Sequence, residues 1–105
     1  MKSVTVYVKG VAAGVLAHFR RGGYEFRYTR EYRESGRPSV AFSLPKSQAV
    51  HRSDVLFPFF YGLLAEGACK KMQCRMLRID ENDHFTRLAE TCRQGVIGVV
   101  YVLPR

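Results

Sequence analysis

Acidic residues are scarce in this chain, tryptophan is absent, and no apolar run is long. Nine Asp and Glu face 17 Lys and Arg, a net charge of +8. Such a balance favours an acidic partner, either nucleic acid or an acidic protein surface, without choosing between them, and part of it can be plain solvated surface. No hydrophobic stretch approaches the roughly 20 residues that span a bilayer, and the N-terminus has no signal-peptide core. A soluble protein with no membrane partner is expected. The three cysteines, Cys69, Cys74 and Cys92, are odd in number and contain no Cys-x-x-Cys pair. That spacing supports neither a disulfide framework nor a zinc site. His18, His51 and His84 are scattered, so no metal and no cofactor are expected. Free thiols suit a reducing cytoplasm. Motifs of catalysis are missing too: there is no Gly-x-Gly-x-x-Gly, Gly-Lys-Ser, Gly-x-Ser-x-Gly or His-Glu-x-x-His. The acidic cluster Asp80, Glu81 and Asp83 falls at the start of a predicted helix, where carboxylates cap backbone donors and complement the dipole. The expectation is a non-enzyme.

What is present reads as one α+β domain over residues 1–105, a small twisted antiparallel sheet with helices in the second half. Residues 3–8, Ser-Val-Thr-Val-Tyr-Val, alternate strictly and predict a strand. Lys9-Gly10 is a turn, residues 14–19 a second strand, Arg21-Gly22-Gly23 a tight hairpin turn, and residues 24–28 a third strand. The three make a meander with Tyr24, Phe26 and Tyr28 on one face and Glu25 and Arg27 on the other. Residues 29–34 suit a short helical turn capped by Thr29. Val40 and Phe42 suggest a short strand ending at Leu44-Pro45, and the polar residues 46–53 a surface loop.

The densest aromatic cluster is Phe57-Pro-Phe-Phe-Tyr-Gly-Leu-Leu-Ala-Glu-Gly67. Phe59, Phe60, Leu63 and Leu64 share one stripe of a helix and are candidate core residues. Ser53 or Asp54 can cap it, and Pro58 is tolerated only in its first turn, so the helix should begin near Leu56 or Phe57. Gly67 is placed to stop it. A buried aromatic helix is the commoner explanation of such a stretch than a ligand site. Next, Cys69, Met72, Met76 and Ile79 are spaced for a second helix packing on the first. Asp80 or Asn82 should cap a third helix carrying Phe85, Leu88, Ala89 and Cys92 on one face, stopped by Gly95. Residues 96–103 form a final apolar strand returning to the sheet.

Two basic regions are candidate binding surfaces. Residues 20–37 hold six arginines interleaved with Tyr24, Phe26, Tyr28 and Tyr32. Aromatics beside arginines can stack bases and neutralise phosphates, and Arg20, Arg21 and Arg27 are candidate contacts to phosphate or to an acidic surface. Strand alternation favours the simpler arrangement, with aromatics in the core and arginines in water. Lys70 and Lys71 with Arg75 and Arg78 form a second basic band, which can equally be the solvated side of a helix.

The order of motifs resembles the N-terminal subdomain of HipA-type serine/threonine kinases, toxins of bacterial toxin–antitoxin operons. The resemblance runs through Gly14-Val-Leu, Tyr24-Glu-Phe-Arg-Tyr28 before Tyr32, and Phe42-Ser-Leu-Pro45. It continues through Phe59-Phe60 and Leu63-Leu64-Ala-Glu-Gly67, where Ala65 replaces the usual proline, to Gly98-Val-Val-Tyr-Val-Leu-Pro104. It covers essentially the whole chain. In the fused kinases this subdomain continues into a body with the nucleotide site, catalytic Asp and metal ligands, whereas this sequence stops. It is therefore similar to HipS, the small subunit of tripartite HipBST systems, which pairs with the kinase HipT and the helix-turn-helix protein HipB.

That resemblance implies an antitoxin that docks where the fused subdomain would sit and neutralises the kinase. DNA would be met only indirectly, through the complex. It also implies that Glu66, Gly67, Ala68, Lys70 and Lys71 face the kinase cleft. A bulky aromatic would make the best plug there. With Ala68 in that position, inhibition would draw on backbone contacts with Lys70 and Lys71, or binding would go without effective block. Two alternatives remain: a basic nucleic-acid-binding module, and an inactive N-terminal fragment of a HipA-type kinase.

Overall fold

A computed structural model describes residues 2–64, 67–91 and 100–104. Strands β1 (Lys2–Val8), β2 (Val11–His18) and β3 (Tyr24–Tyr28) form the expected meander. Its turns need left-handed backbone at Lys9, Gly10, Gly22 and Gly23, which glycine adopts without a Cβ penalty. Helix α1 (Arg30–Glu34) follows, and its first turn is held by the Thr29 hydroxyl accepting from Tyr32 N at 3.1 Å. Strand β4 (Val50–Ser53) then precedes helices α2 (Pro58–Tyr61), α3 (Gly67–Leu77) and α4 (His84–Thr91), and β5 (Val100–Pro104) closes the sheet. All pairings are antiparallel, in the order β4-β3-β2-β1-β5.

The period-2 pattern sends Val4, Val6, Leu16, Phe26, Tyr28 and Val102 to one buried face. Phe57 and Phe60 cover it from the α2 region, and Phe85 and Leu88 from α4. Phe26 and Phe60 meet with ring centroids 5.7 Å apart. Gly14 makes this packing possible, since a Cβ there would lie 2.4 Å from the Arg27 carbonyl oxygen and 2.8 Å from the Phe26 ring. The other face carries the cross-strand row Thr5, Val15, Arg27 and Val50, none of them buried. A one-sided antiparallel sheet of this kind exposes its polar alternates.

Several elements depart from the sequence expectation. Residues 50–53 are a strand and not part of a loop. Its stabilisation comes from cross-strand partners rather than apolar alternation: His51 is buried opposite Phe26, and Arg52 bonds Glu25 across the strand at 3.1 Å. Val40 and Phe42 belong to no named strand; only an isolated bridge joins Ala41 to Leu44 around a tight turn. The aromatic helix is a single turn. Phe57 is its N-cap without a side-chain bond, so neither Ser53 nor Asp54 caps it. Beyond Tyr61 the hydrogen bonds tighten to Leu63 N–Phe60 O and Leu64 N–Tyr61 O, which ends the regular helix near Gly62.

Gly67 therefore starts the next helix instead of stopping this one. On α3, Met72 and Met76 are exposed and Cys74 is the buried residue, the reverse of the expected packing. The cap of α4 is Asp83, not Asp80 or Asn82: its carboxylate accepts from Thr86 N at 3.1 Å and from the Thr86 hydroxyl at 2.7 Å. Asp80 instead holds Asn82 N in a local turn at 2.8 Å. Gly95, Cys92 and the expected start of the last strand lie outside the described residues. No helix among those described is long and apolar enough to cross a membrane.

Candidate functional site

Helix α3 presents the most distinctive unpaired surface. Between Gly67 and Arg78 lie four cations, Lys70, Lys71, Arg75 and Arg78, and no carboxylate. Met72 and Met76 are four residues apart and share a face. Cys74 lies two residues from each, about 200° round the helix, so its burial turns the methionines to solvent. Met76 is 77% exposed and Met72 57%. Lys71 and Arg75 are exposed beside them, and Lys70 is half-buried. Arg78 takes left-handed backbone at φ 56°, and Ile79 N reaches back to Cys74 O at 2.9 Å, closing the helix in a Schellman-type end. The result is a defined helix with an apolar stripe edged by positive charge.

Of the residues expected at the kinase-facing segment, Glu66 lies outside the described residues. Gly67 and Ala68 open α3, and Lys70 and Lys71 sit in its first turns. Phe60 and Leu64 are buried, while Phe59 and Leu63 are partly buried against the same core. Arg20, Arg21 and Arg27 do not converge. Arg20 and Arg21 are exposed at the β2–β3 hairpin, and Arg27 lies on the open sheet face, 3.7 Å from Glu25. Phe26 and Tyr28 are buried, and Tyr24 stacks on His18 with centroids 4.3 Å apart. The strand thus offers no free aromatic row for bases.

Near α3, the start of α4 gathers charge. Arg87 is buried and donates to His84 Nδ1 at 3.1 Å and to Glu81 O at 3.4 Å. Partial burial holds the His84 pKa below its ordinary value, and the charges of Arg87 and Lys70 push the same way. Burial pushes Asp83 up, yet the two Thr86 hydrogen bonds, with Lys2 and His18, outweigh it and hold the carboxyl below its usual range. Both groups serve α4: one caps it, the other anchors Arg87. Among the described residues no three His, Cys, Asp or Glu side chains cluster to hold a metal.

Met72 and Met76 were legible as apolar positions but not as surface. The helix has two apolar faces, one through Cys74 and one through the methionines, and periodicity alone cannot choose between them. The run of cations without a carboxylate was the available signal, because it flanks the face that ends in water.

Comparison with known proteins fits this geometry. The model of the family described as the HipA N-terminal domain matches residues 4–103. An uncharacterised protein of Haemophilus influenzae is 33% identical over 102 residues, covering 97% of this chain and 92% of that protein. A solved structure described as the N-terminal domain of HipA toxin superposes with a TM-score of 0.76 at 31% identity, over 100% of this chain and 93% of that one. The match is to a non-catalytic subdomain. With the five-stranded sheet, the one-sided helical layer and nearly every residue aligned, this chain belongs to the HipA N-terminal domain family.

Proposed function

We propose that this chain is an antitoxin of the HipS kind, which docks on a HipT-like serine/threonine kinase as its separate N-terminal subdomain and neutralises it. The observation that carries the reading is the outward face of α3. A methionine stripe flanked by Lys71 and Arg75 gains nothing from the chain's own core and suits an apolar groove with acidic edges. The Haemophilus influenzae relative supports it, since the domain there makes up nearly the whole protein. In the docked state the start of α3, with Glu66, Gly67 and Ala68, approaches the kinase cleft, and Lys70 and Lys71 supply charge. A HipB-like helix-turn-helix protein completes the complex and carries any contact with DNA. The nucleic-acid alternative keeps Arg20 and Arg21 as exposed charges, but Phe26 and Tyr28, the β3 aromatics that would stack bases beside them, are buried.

The test is co-purification with a HipT-like serine/threonine kinase, followed by phosphorylation assays with and without this chain. Stable binding with loss of kinase activity is the expected result. Binding that leaves activity intact would reduce the role to docking. No binding would overturn the reading.

A further inference from the structure

Phe42 is a phenylalanine held in full solvent exposure on the tip of the turn between Ala41 and Leu44. An exposed aromatic on a loose loop would mean little, but this loop is pinned along its length. Leu44 N closes the turn on Ala41 O at 3.0 Å. The buried hydroxyl of Tyr28 accepts from Val40 N at 2.9 Å and donates to Leu44 O, bracing the residues on both sides of the tip. Tyr32 donates to Pro38 O at 2.7 Å, Lys46 N to Ser39 Oγ at 2.9 Å, and His51 Nε2 to Pro45 O at 3.0 Å. Val40 and Leu44 are buried, so the chain dives into the core immediately before and after the exposed ring. A backbone fixed this way leaves only the side-chain torsions of Phe42 to be ordered when it enters a complex.

The surroundings specify the partner's chemistry. Beside the loop is an open groove of about 560 Å³ lined by Arg30, Arg33, Glu34, Lys46 and Ser47. Arg33 and Lys46 bond backbone carbonyls, which fix the side chains without neutralising their charge. Arg37 is exposed on the same loop. We propose that Phe42 is an anchor that inserts into an apolar pocket rimmed by carboxylates on the partner kinase, forming a docking point separate from α3. This rests on the kinase-docking reading above. A second copy of the chain is a poor occupant, since two molecules of net charge +8 repel. One aromatic side chain is also too small an anchor for a membrane.

Calorimetric titration of a HipT-like kinase with the wild-type chain, Phe42→Ala and Val55→Ala tests the assignment. Val55 is another exposed apolar residue and gives the baseline for losing one. Phe42→Ala should weaken binding at least about tenfold with an unchanged melting temperature, as a hot spot does, and Val55→Ala should bind as wild type. Equal affinity of Phe42→Ala and wild type would overturn the anchor while leaving the kinase-docking reading intact. Failure of the wild-type chain to bind would overturn both. Phe42-dependent self-association by sedimentation, or Phe42-dependent binding to vesicles of anionic phospholipid, would assign the ring to another occupant and overturn the proposal.

Discussion

The Tyr28 hydroxyl is the polar centre of an otherwise apolar contact. It takes the amide of buried Val40 and gives its own proton to Leu44 O. Tyr28→Phe keeps the ring packing on Phe26 and His51 but strips a buried N–H of its partner. The expected loss is about 1–3 kcal/mol of unfolding free energy in urea, the cost of an unsatisfied buried donor. An unchanged midpoint would mean that water replaces the hydroxyl. His84 is the other residue whose chemistry reaches stability. The Arg87 donor at Nδ1 requires a neutral ring, and the folded pKa lies below the ordinary 6.5. As pH falls through 6.5 the unfolded chain takes up the proton first, so the contribution of this group is full above that value and lost below it. Asp83, also held down, loses its contribution only below its ordinary 3.8. Urea midpoints at pH 8 and pH 5.5 should therefore diverge more for wild type than for His84→Gln. Parallel declines would exclude His84 as the source.

Elements were legible in the sequence where pattern and burial coincide, and illegible where a partner decides. Strand β1 follows from strict alternation, and β2 and β3 from the glycine turns around them, though β2 begins at Val11, three residues before the expected start; Thr29 announced α1. Strand β4 was hidden because Val50-His-Arg-Ser has only one aliphatic residue. What pairs it is Phe26 and Glu25, more than twenty positions away. Gly67 misled for a related reason: glycine after an apolar run reads as a stop, yet one turn of helix had already ended at Gly62. On α3 the basic residues of the candidate site could be read directly, but the direction of the methionines depends on Cys74 being the residue that finds the core. The methionine face of α3 is thus separable from the fold, although Cys74 ties the helix to it. Met72→Gln with Met76→Gln should change unfolding free energy by no more than about 0.5 kcal/mol per site, as for surface positions. The same double variant should weaken kinase binding. Leu88→Ala on α4, fully buried, should cost about 2–5 kcal/mol instead. Equal stability losses in the two experiments would show that the methionines pack internally.

At the scale of the molecule, charge and shape work on different parts of recognition. The domain buries one face of its sheet under helices and leaves the other open, and its excess of eight positive charges is spread over several elements. Composition favours an acidic partner without indicating where such a partner would sit. The arginines of residues 20–37 scatter over hairpin, sheet face, helix α1 and loop, while Lys71 and Arg75 of α3 sit beside exposed methionines. A partner that is a protein and one that is nucleic acid then differ in how salt acts on binding. Against an acidic kinase surface, distributed charge accelerates encounter, and apolar anchors govern how long the complex lasts. Raising NaCl from about 50 to 300 mM should lower the association rate constant roughly tenfold and change the dissociation rate constant about twofold or less. Nucleic-acid binding without anchors would behave otherwise, with affinity falling as a steep power of salt as counterions are released. Stopped-flow measurements with the kinase, beside fluorescence titrations of single- and double-stranded oligonucleotides, separate the two. Kinase dissociation that accelerates with salt as much as association slows would assign the interface to charge alone. Methionine stripe and phenylalanine would then be surface without a role in holding the complex.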